Sequence, residues 1–333
     1  MKSHSPYPAS LRFVDLFCGI GGFHVAARSV SAKTGLDLRC VFASDIDPEC
    51  QRTYEANFGL RPVGDIREVA ASAVPEHDLL FAGFPCQPFS IIGNRGGFED
   101  VRGTLFFDIV RILNERRPTA FVLENVKTLI GHDKGRTLAR ILDALGQLGY
   151  YAHYQVLNAL DYGLPQKRER VIFVGFREPL LFLWPQGGSE QVSLEALLEE
   201  EVPSRYYVSE RVMSKRSQHG PGLDGQKLIW HENKSGHISK LAYSCALRAG
   251  ASYNYLLVNG VRRLTEREML RLQGFPDDFV YTGSYSTVKR QAGNAVPVPM
   301  IAAVLERVLD TLFQHVPSET SASYADTQEV ANA

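Results

Sequence analysis

The chain has 333 residues, of which 44% are hydrophobic and 22% are charged, so it can bury a sizeable core and is neither disordered nor collagen-like. This length predicts two domains, or one large α/β domain with an insertion. Lys and Arg number 36 against 37 Asp and Glu, a formal net charge of −1. That balance argues against a general nucleic-acid-coating protein, although it leaves room for a protein with one basic face.

The cysteine content indicates a reducing compartment. The five cysteines are odd in number and include no CxxC pair, which argues against a disulfide framework and a structural zinc site, so we expect no metal. The first residues lack the apolar core of a signal peptide, and no stretch approaches 18 apolar residues. We therefore expect a cytoplasmic protein.

Strand-like and helix-like segments alternate over the first 180 residues. Six short apolar runs predict strands, at Leu11–Phe17, Cys40–Ile46, Asp78–Phe84, Thr119–Val126, Tyr154–Ala159 and Arg170–Phe176. Helix-length segments lie between them, at Gly22–Val30, Leu105–Arg116 and Thr137–Leu148. Alternation of this kind predicts a doubly wound, Rossmann-like parallel sheet, whose ligands bind beyond the carboxyl ends of the strands.

The pattern changes after residue 180. A short acidic helix is predicted at Ser193–Glu201, and residues 203–260 show no clean periodicity. A helix follows from Leu264, with Thr265 and Glu268 spaced as in a capping box. A last helix, Val296–Leu312, is expected to return to the first domain, and the polar tail after it is expected to be flexible.

A glycine-rich turn follows the first predicted strand. Glycines there let a ligand approach the backbone and the start of the next helix, but His24 replaces the third glycine of a dinucleotide fingerprint. This favours a smaller cofactor that contains adenosine. Asp45 at the next strand end suits a ribose, and Asp65 suits an adenine amino group. A tight turn with ordinary surface aspartates accounts for the turn about equally well.

Three further strand ends carry reactive side chains. Cys86 lies between prolines and is either a rigidly held nucleophile or a small buried hydrophobe, and the glycine-rich stretch 91–103 after it suits a closing lid. Glu124 ends an apolar strand, which favours a raised pKa and proton donation, unless it is a solvated acid. Strand alternation puts Gln166, Arg168 and Arg170 on one face of the strand, and arginine side chains are suited to binding bases and phosphates. For each of these residues taken alone, a solvated charged turn is the simpler interpretation.

Positive charge is concentrated in one segment. Residues 203–263 contain 10 Lys and Arg against 3 Asp and Glu, so the rest of the chain carries an excess of negative charge. Tyrosines and asparagines are interleaved with these basic residues, a mixture that suits DNA contact, although a charged run is often just a solvated face.

Taken in order, these motifs resemble those of the DNA cytosine-5 methyltransferases. The resemblance spans residues 11 to 312 and includes DLFCGIGG, ASDID, GDI, GFPCQPFS, RGTLF, ENV, QKRER, RRLTEREMLRLQGFP and QAGNAVPVPM. Only residues 180–260 lack a family motif, and in this family that variable segment is the target-recognition domain. The resemblance implies a catalytic domain at 1–180 and 285–316, a smaller, irregular target-recognition domain at 181–284, and a flexible tail at 317–333.

The resemblance also implies a mechanism. Cys86 would attack carbon 6 of a cytosine flipped from the duplex, Glu124 would protonate ring nitrogen 3, and Arg170 would hold the exocyclic oxygen with Arg168 and Asn125 in support. S-adenosylmethionine would supply the methyl group and leave as S-adenosylhomocysteine. Its site would comprise Phe17, Gly19, Gly21, Asp45, Ile46, Asp65, Leu105 and Asn294. Asp45 replaces the glutamate more usual in the family. Ser90, Arg102 and Gln166 would contact DNA.

Two other activities and a set of partners complete the expectation. A tRNA-methylating branch of the same family and a catalytically silent DNA-binding relative are alternatives, and the long 203–260 insertion favours DNA. A flavin or nicotinamide oxidoreductase would need the glycine that His24 replaces. We expect a bacterial, nucleoid-associated monomer that acts on double-stranded DNA and has, at most, a cognate restriction endonuclease acting on the same site without a stable complex.

Overall fold

The computed structural model describes residues 7–85, 105–218 and 226–313, and its centre is a six-stranded sheet. The strand order is β2–β1–β3–β4–β7–β5. All neighbouring pairs are parallel except those of β7, which runs antiparallel to both β4 and β5. The six strands are β1 (Ser10–Leu16), β2 (Asp37–Ser44), β3 (Leu79–Gly83), β4 (Ala120–Val126), β5 (Tyr151–Asn158) and β7 (Glu169–Phe176), and the two-residue strand β6 (Gln166–Lys167) precedes β7.

Helices cover both faces of the sheet because side chains on successive strand residues point to opposite faces. Phe13 and Phe81 face one apolar core, and Val14 and Leu80 face the other. The first core also receives α1 (Gly22–Thr34) and α9 (Val298–Phe313), and the second receives α3 (Leu105–Arg116) and α4 (Arg136–Gln147). The predicted doubly wound α/β fold is confirmed, with the difference that one strand is antiparallel.

The C-terminal helix returns to the first domain, as predicted. Helix α9 packs along α1, and Lys33 of α1 pairs with Glu306 of α9 at 2.7 Å. Helix α2 (Pro48–Phe58) was not predicted; Asp47 caps it by accepting a hydrogen bond from the Glu49 amide, and a proline opens it. None of the described helices is long and apolar enough to cross a membrane.

Residues 181–284, here called the insertion, contain short elements. A three-stranded antiparallel sheet has the order β11–β8–β9, and β10 pairs in parallel with β6. The predicted capping box is present, since Thr265 and Glu268 exchange side-chain and backbone hydrogen bonds at the start of α7. The elements are α5 (Leu194–Leu197), α6 (Glu210–Ser217), β8 (Ile229–Glu232), β9 (Ile238–Leu241), β10 (Ser244–Cys245), β11 (Leu256–Val258) and α7 (Glu266–Leu272), and α8 (Tyr285–Asn294) follows the insertion.

Candidate active site at the carboxyl edge of the sheet

A cleft of about 710 Å³ lies beyond the carboxyl ends of β1 to β4, where doubly wound sheets bind their ligands. This volume is within the range of small-ligand sites. Most of the predicted site residues that the structure describes line this cleft, namely Phe17, Gly19, Asp45, Ile46, Asp65, Leu105, Glu124, Asn125, Arg168, Arg170 and Asn294.

The turn after β1 needs glycine for two different reasons. Phe17, Gly19 and Gly21 all have positive φ, at 54°, 53° and 88°. A Cβ on Gly21 would also lie 2.3 Å from the ring of Phe58, so this residue packs against α2. Gly21 is absent from the lining of the cleft, which its neighbour Gly22 reaches instead. Gly19 and Gly22 therefore line the cleft, whereas Gly21 allows the turn to pack closely against Phe58 of α2.

Asp45 is held rigidly at the end of β2. One carboxylate oxygen accepts a hydrogen bond from the Gly19 amide and the other accepts one from the Asp47 amide, both at 2.8 Å. Burial raises the pKa of Asp45, although the two amide hydrogen bonds oppose that shift. The next residue, Ile46, is 68% exposed despite being apolar. This edge of the cleft therefore offers fixed carboxylate oxygens beside an uncovered aliphatic side chain.

Three more predicted residues surround the same end of the cleft. Asp65 caps a short 3-10 helix, and hydrogen bonds from Arg67 hold the pKa of its carboxyl below the usual range. Leu105 begins α3, and the exposed Asn294 ends α8. Residues from four separate segments of the chain thus converge on one concave surface.

The other end of the cleft holds a buried ion pair. Nε of Arg170 lies 2.7 Å from Oε1 of Glu124, and both side chains are largely buried. Burial raises the pKa of the Glu124 carboxyl, and the charges of Arg170 and Arg168 oppose this rise. The pair forms because β4 and β7 are antiparallel, with Val126 opposite Arg170. The expectation of a raised pKa at this strand end is confirmed in direction.

Asn125 fixes the backbone that leads to the predicted nucleophile. Its amide nitrogen donates a hydrogen bond of 3.0 Å to the carbonyl oxygen of Phe84, two residues before Cys86. Cys86 itself lies outside the described residues, as do Ser90 and Arg102, so the structure gives no account of these three predictions. The described part of the loop ends at Pro85, which lines the cleft.

Arg168 is a fully buried link between three parts of the chain. Its guanidinium donates to the carbonyl oxygens of Leu247, Gly293 and Ala295, at 2.9, 3.0 and 2.8 Å. Leu247 belongs to the insertion, and Gly293 and Ala295 flank the cleft residue Asn294. Arg168 lines the cleft, but its hydrogen bonds give it a positioning role for the segments around the site.

Gln166, which was predicted to contact DNA, is held inside the protein by hydrogen bonds of its side-chain amide. Its side chain is completely buried, its amide nitrogen donates to the carbonyl oxygen of Leu272 at 2.7 Å, and its amide oxygen accepts from the Leu247 amide at 3.1 Å. Arg168 also bonds to the backbone of Leu247, so Gln166 and Arg168 share a face as predicted, and the insertion covers that face. Gln166 therefore holds the insertion to the sheet in this structure.

Polar residues outside the predicted site also line the cleft, among them Asp47, Arg290 and Gln291. Arg290 of α8 pairs with Asp47 at the start of α2, and this ion pair joins two walls of the cleft. Gln291 is buried, and neither polar atom of its amide has a hydrogen-bond partner. Asp47 lies within the ASDID motif, and Gln291 begins the QAGNAVPVPM motif with Arg290 just before it, so the motifs were the available signal.

His24, which replaces the third glycine of a dinucleotide fingerprint, belongs to the core. Its ring stacks on Phe58 with centroids 3.9 Å apart, and its Nδ1 lies 2.8 Å from the hydroxyl of Tyr54. Burial lowers the pKa of His24 to about 3, so the ring is neutral. A side chain of this size at the turn argues against a pyrophosphate cofactor there.

Comparison with known proteins places this geometry in a family. The model of the C-5 cytosine-specific DNA methylases matches residues 11–310. Type II methyltransferase M.NgoBI of Neisseria gonorrhoeae is 50% identical over 302 residues, covering 90% of this chain and 93% of that protein. Type II methyltransferase M.HaeII of Haemophilus aegyptius is 49% identical over 301 residues, with the same coverage of both chains.

Solved structures share the fold at low sequence identity. A DNMT2 of Spodoptera frugiperda superposes with a TM-score of 0.69 at 20% identity, covering 90% of this chain and 99% of that one. Dnmt2 methyltransferase of S. pombe gives a TM-score of 0.67 at 23% identity, covering 92% and 100%. The fold is thus of the Rossmann-like methyltransferase type. The chain belongs to the C-5 cytosine-specific DNA methylase family, and its enzyme class is DNA (cytosine-5-)-methyltransferase.

Proposed function

We propose that the protein transfers a methyl group from S-adenosylmethionine to carbon 5 of a cytosine flipped out of a specific short duplex DNA sequence, through a covalent adduct with Cys86. The observation that carries this proposal is the buried pair of Glu124 and Arg170 at one end of a cleft whose other end has the chemistry of a nucleoside site. A pair of a carboxyl and a guanidinium suits the polar edge of a cytosine, which presents a ring nitrogen beside a carbonyl oxygen.

The cleft fits the proposed cofactor. Asp45 can accept hydrogen bonds from ribose hydroxyls, exposed Ile46 offers an apolar surface to an adenine ring, and Asp65 can accept from its amino group. Phe17, Gly19, Leu105 and Asn294 supply the remaining predicted contacts. When bound, S-adenosylmethionine supplies an electrophilic methyl group. The residues of this chain orient it and exclude water from the cleft.

At the other end, Glu124 and Arg170 prepare the base for attack. A protonated Glu124 delivers its proton to ring nitrogen 3 of the base while Arg170 donates to the exocyclic oxygen, which makes carbon 6 electrophilic. Cys86, as thiolate, forms a bond to carbon 6 and thereby makes carbon 5 nucleophilic. After methylation, a base removes the proton from carbon 5, the bond between Cys86 and carbon 6 breaks to release the thiolate, and the proton on ring nitrogen 3 returns to the Glu124 carboxylate.

The domains divide this work. Residues 1–180 and 285–316 form the catalytic, cofactor-binding domain, and residues 181–284 form the target-recognition domain. The excess of seven positive charges in residues 203–263 supports the second assignment, because phosphate contacts hold a protein on DNA. The enzyme then acts as a monomer, and a cognate endonuclease would share its target without a stable complex.

A labelled-methyl assay with Cys86→Ser tests the chemistry. Wild-type protein is expected to label a duplex from tritiated S-adenosylmethionine, and bisulfite sequencing of DNA from expressing cells identifies the methylated cytosine. Cys86→Ser is expected to lose nearly all turnover and to keep its affinity for S-adenosylmethionine. Near-normal turnover by this variant would refute the nucleophile assignment.

The same assay separates the alternative activities. Label found in tRNA but not in any duplex would establish the tRNA-methylating alternative. Label found in neither substrate, with DNA still bound, would establish the catalytically silent alternative.

A further inference from the structure

Residues 246–251 of the insertion lie in direct contact with the C-terminal end of α8. A Cβ on Gly293 would lie 2.5 Å from the backbone nitrogen of Ala249 and 2.9 Å from the carbonyl carbon of Arg248. Only glycine permits this approach of the two backbones. The next residue after Gly293 is the cleft residue Asn294, so this segment of the insertion is packed against one wall of the cleft.

A buried lysine holds this segment by its backbone. The ammonium nitrogen of Lys289, in α8, donates to the carbonyl oxygens of Ala251, Ala249 and Arg248 at 2.6, 3.2 and 3.4 Å. An ammonium group has three donors, and three carbonyls satisfy them here. Lys289 is only 7% exposed, so these hydrogen bonds form away from bulk water, where their loss is costly.

The preceding residues of the segment are held from the opposite side. Arg168 donates to the Leu247 carbonyl and Gln166 accepts from the Leu247 amide. The Arg248 amide donates to the hydroxyl of Tyr255 at 2.9 Å. The backbone of the segment is therefore engaged inward, between Lys289 on one side and the arginine that precedes β7 on the other.

The side chain of Arg248, unlike the backbone of the segment, faces solvent. Arg248 is exposed, and its guanidinium carbon lies 4.9 Å from the centre of the Tyr255 ring, which restricts its orientation. The backbone is anchored on both sides of Arg248 in sequence, at Leu247 by Arg168 and at Ala249 and Ala251 by Lys289. Arg168 lines the same cleft as Glu124 and Arg170, so these contacts tie Arg248 to the cleft.

We propose that Lys289 is a positioning residue for target discrimination, which sets the 246–251 segment at a fixed distance from the catalytic pair so that Arg248 meets the DNA beside the target base. This inference rests on the proposed function and extends it to a residue outside the predicted site. Loss of the ammonium group leaves three carbonyl oxygens without donors, so the segment shifts and the Arg248 side chain is no longer positioned against the bases. Cofactor binding is expected to be unaffected, because Lys289 does not line the cleft and its ammonium group bonds to the 246–251 segment.

The test compares Lys289→Met with wild type on two kinds of duplex. One carries the site that bisulfite sequencing identifies for wild-type protein, and the others carry single base-pair changes in it. Lys289→Met is expected to lower the ratio of kcat/KM between the cognate and changed duplexes by about tenfold, mainly through KM for DNA. Calorimetry is expected to give an unchanged Kd for S-adenosylmethionine, which a general distortion of α8 would raise.

Three further variants keep the outcome decisive. Lys289→Arg retains charge and donors and is expected to recover part of the discrimination, and Lys33→Met removes an equal charge at an exposed pair and is expected to behave as wild type. Arg248→Ala changes only an exposed side chain and is expected to reproduce the loss even if Lys289→Met does not fold. Undiminished discrimination in Lys289→Met, or in Arg248→Ala, overturns the inference. A wild-type protein that methylates no duplex would instead overturn the proposed function.

Discussion

The sheet domain and the insertion are stabilised by different forces. In the sheet domain, large apolar side chains such as Phe13, Phe81 and Ile172 are completely buried between sheet and helices. In the insertion, strands are two to four residues long, and buried polar contacts carry much of the structure. Arg262, for example, donates two hydrogen bonds of 2.8 Å to the buried carboxylate of Glu268. The difference is consistent with the proposed division into a rigid catalytic domain and a target-recognition domain whose surface depends on individual side chains.

The two regions also differ in what their buried ion pairs face. In the sheet domain, the Glu124–Arg170 pair faces the cleft, whereas in the insertion Arg262 and Glu268 face each other and the start of α7. A buried ion pair contributes little net stability compared with apolar packing, so a pair that opens onto a cleft is the stronger indicator of function.

The largest effect is expected from Glu124→Gln. This change removes the proton donor but keeps the shape of the side chain, so kcat is expected to fall by about 10² to 10⁴ while the Kd for S-adenosylmethionine is unchanged. Glu169→Gln is the matched control, because Glu169 lies on β7, the strand next to that of Glu124, and pairs with Lys127 at an exposed position. Comparable turnover in the two variants would contradict the assigned role of Glu124.

The pH dependence of turnover follows from the same pair. Burial raises the pKa of Glu124 and Arg170 lowers it, and the reaction needs the protonated carboxyl. The rate is therefore expected to fall as pH rises through this pKa. Arg170→Gln removes the opposing positive charge, so the falling limb of its residual single-turnover rate is expected at higher pH than in wild type. A limb displaced to lower pH would rule out Glu124 as the proton donor.

The next largest effect tests the link between the two regions. Arg168→Met removes the donors of three buried carbonyls, so the free energy of unfolding is expected to fall by about 3 kcal/mol in urea denaturation. Arg39→Met, at an exposed pair with Asp37, is expected to change it by roughly 0.5 kcal/mol or less. A loss below about 1 kcal/mol for Arg168→Met would mean that the insertion stays attached by other contacts.

A smaller effect tests the packing of the glycine turn. Gly21→Ala introduces a methyl group at φ +88° that would lie 2.3 Å from the Phe58 ring, whereas Gly59→Ala has φ +67° and open space around it. We expect losses of stability of about 3 kcal/mol and about 1 kcal/mol respectively. Thermal unfolding of both variants measures the difference, and equal losses would show that Phe58 moves aside freely.

The smallest effect concerns a polar contact within the sheet domain. The Arg290–Asp47 pair joins two walls of the cleft, but Arg290 is 45% exposed, so solvent weakens the interaction. Arg290→Ala is expected to raise the Kd for S-adenosylmethionine by roughly fivefold or less, with a smaller effect at high salt. Calorimetry of Asp47→Asn and of the double variant Asp47→Asn/Arg290→Ala is expected to give the same Kd as Arg290→Ala. Different Kd values would show that the two residues act separately.

Helices and strands are predicted well from the sequence where apolar residues recur at regular spacing. The bounds of α3 were predicted to the residue, and β4 was predicted to within one residue, because apolar residues recur there at helical spacing or fill a whole strand. Helix α2 was missed because it buries only Cys50, Thr53 and Tyr54 and carries polar residues elsewhere. The proline and aspartate at its start were the available signal.

The sequence does not show the direction of a strand within the sheet or the contacts between distant segments of the chain. An apolar run has the same composition in a parallel and an antiparallel strand, so the reversal of β7 was not predicted. Gln166 and Arg168 share a face as predicted, since both bond to the backbone of Leu247, but the sequence does not show that the insertion covers that face. Lys289 gave no signal at all, because its three acceptors are backbone carbonyls about 40 residues earlier in the chain.

The reversed strand β7 has a consequence for how the enzyme folds. It lies between β4 and β5, although it follows both in the chain, so β5 joins the sheet only through its pairing with β7. Glu124 receives its arginine from the same strand, because Arg170 lies near the start of β7. Loop closure over such distances is slow compared with helix formation. The proposed catalytic pair therefore exists only when β7 is paired with β4, and a chain in which β7 is unpaired has no working site.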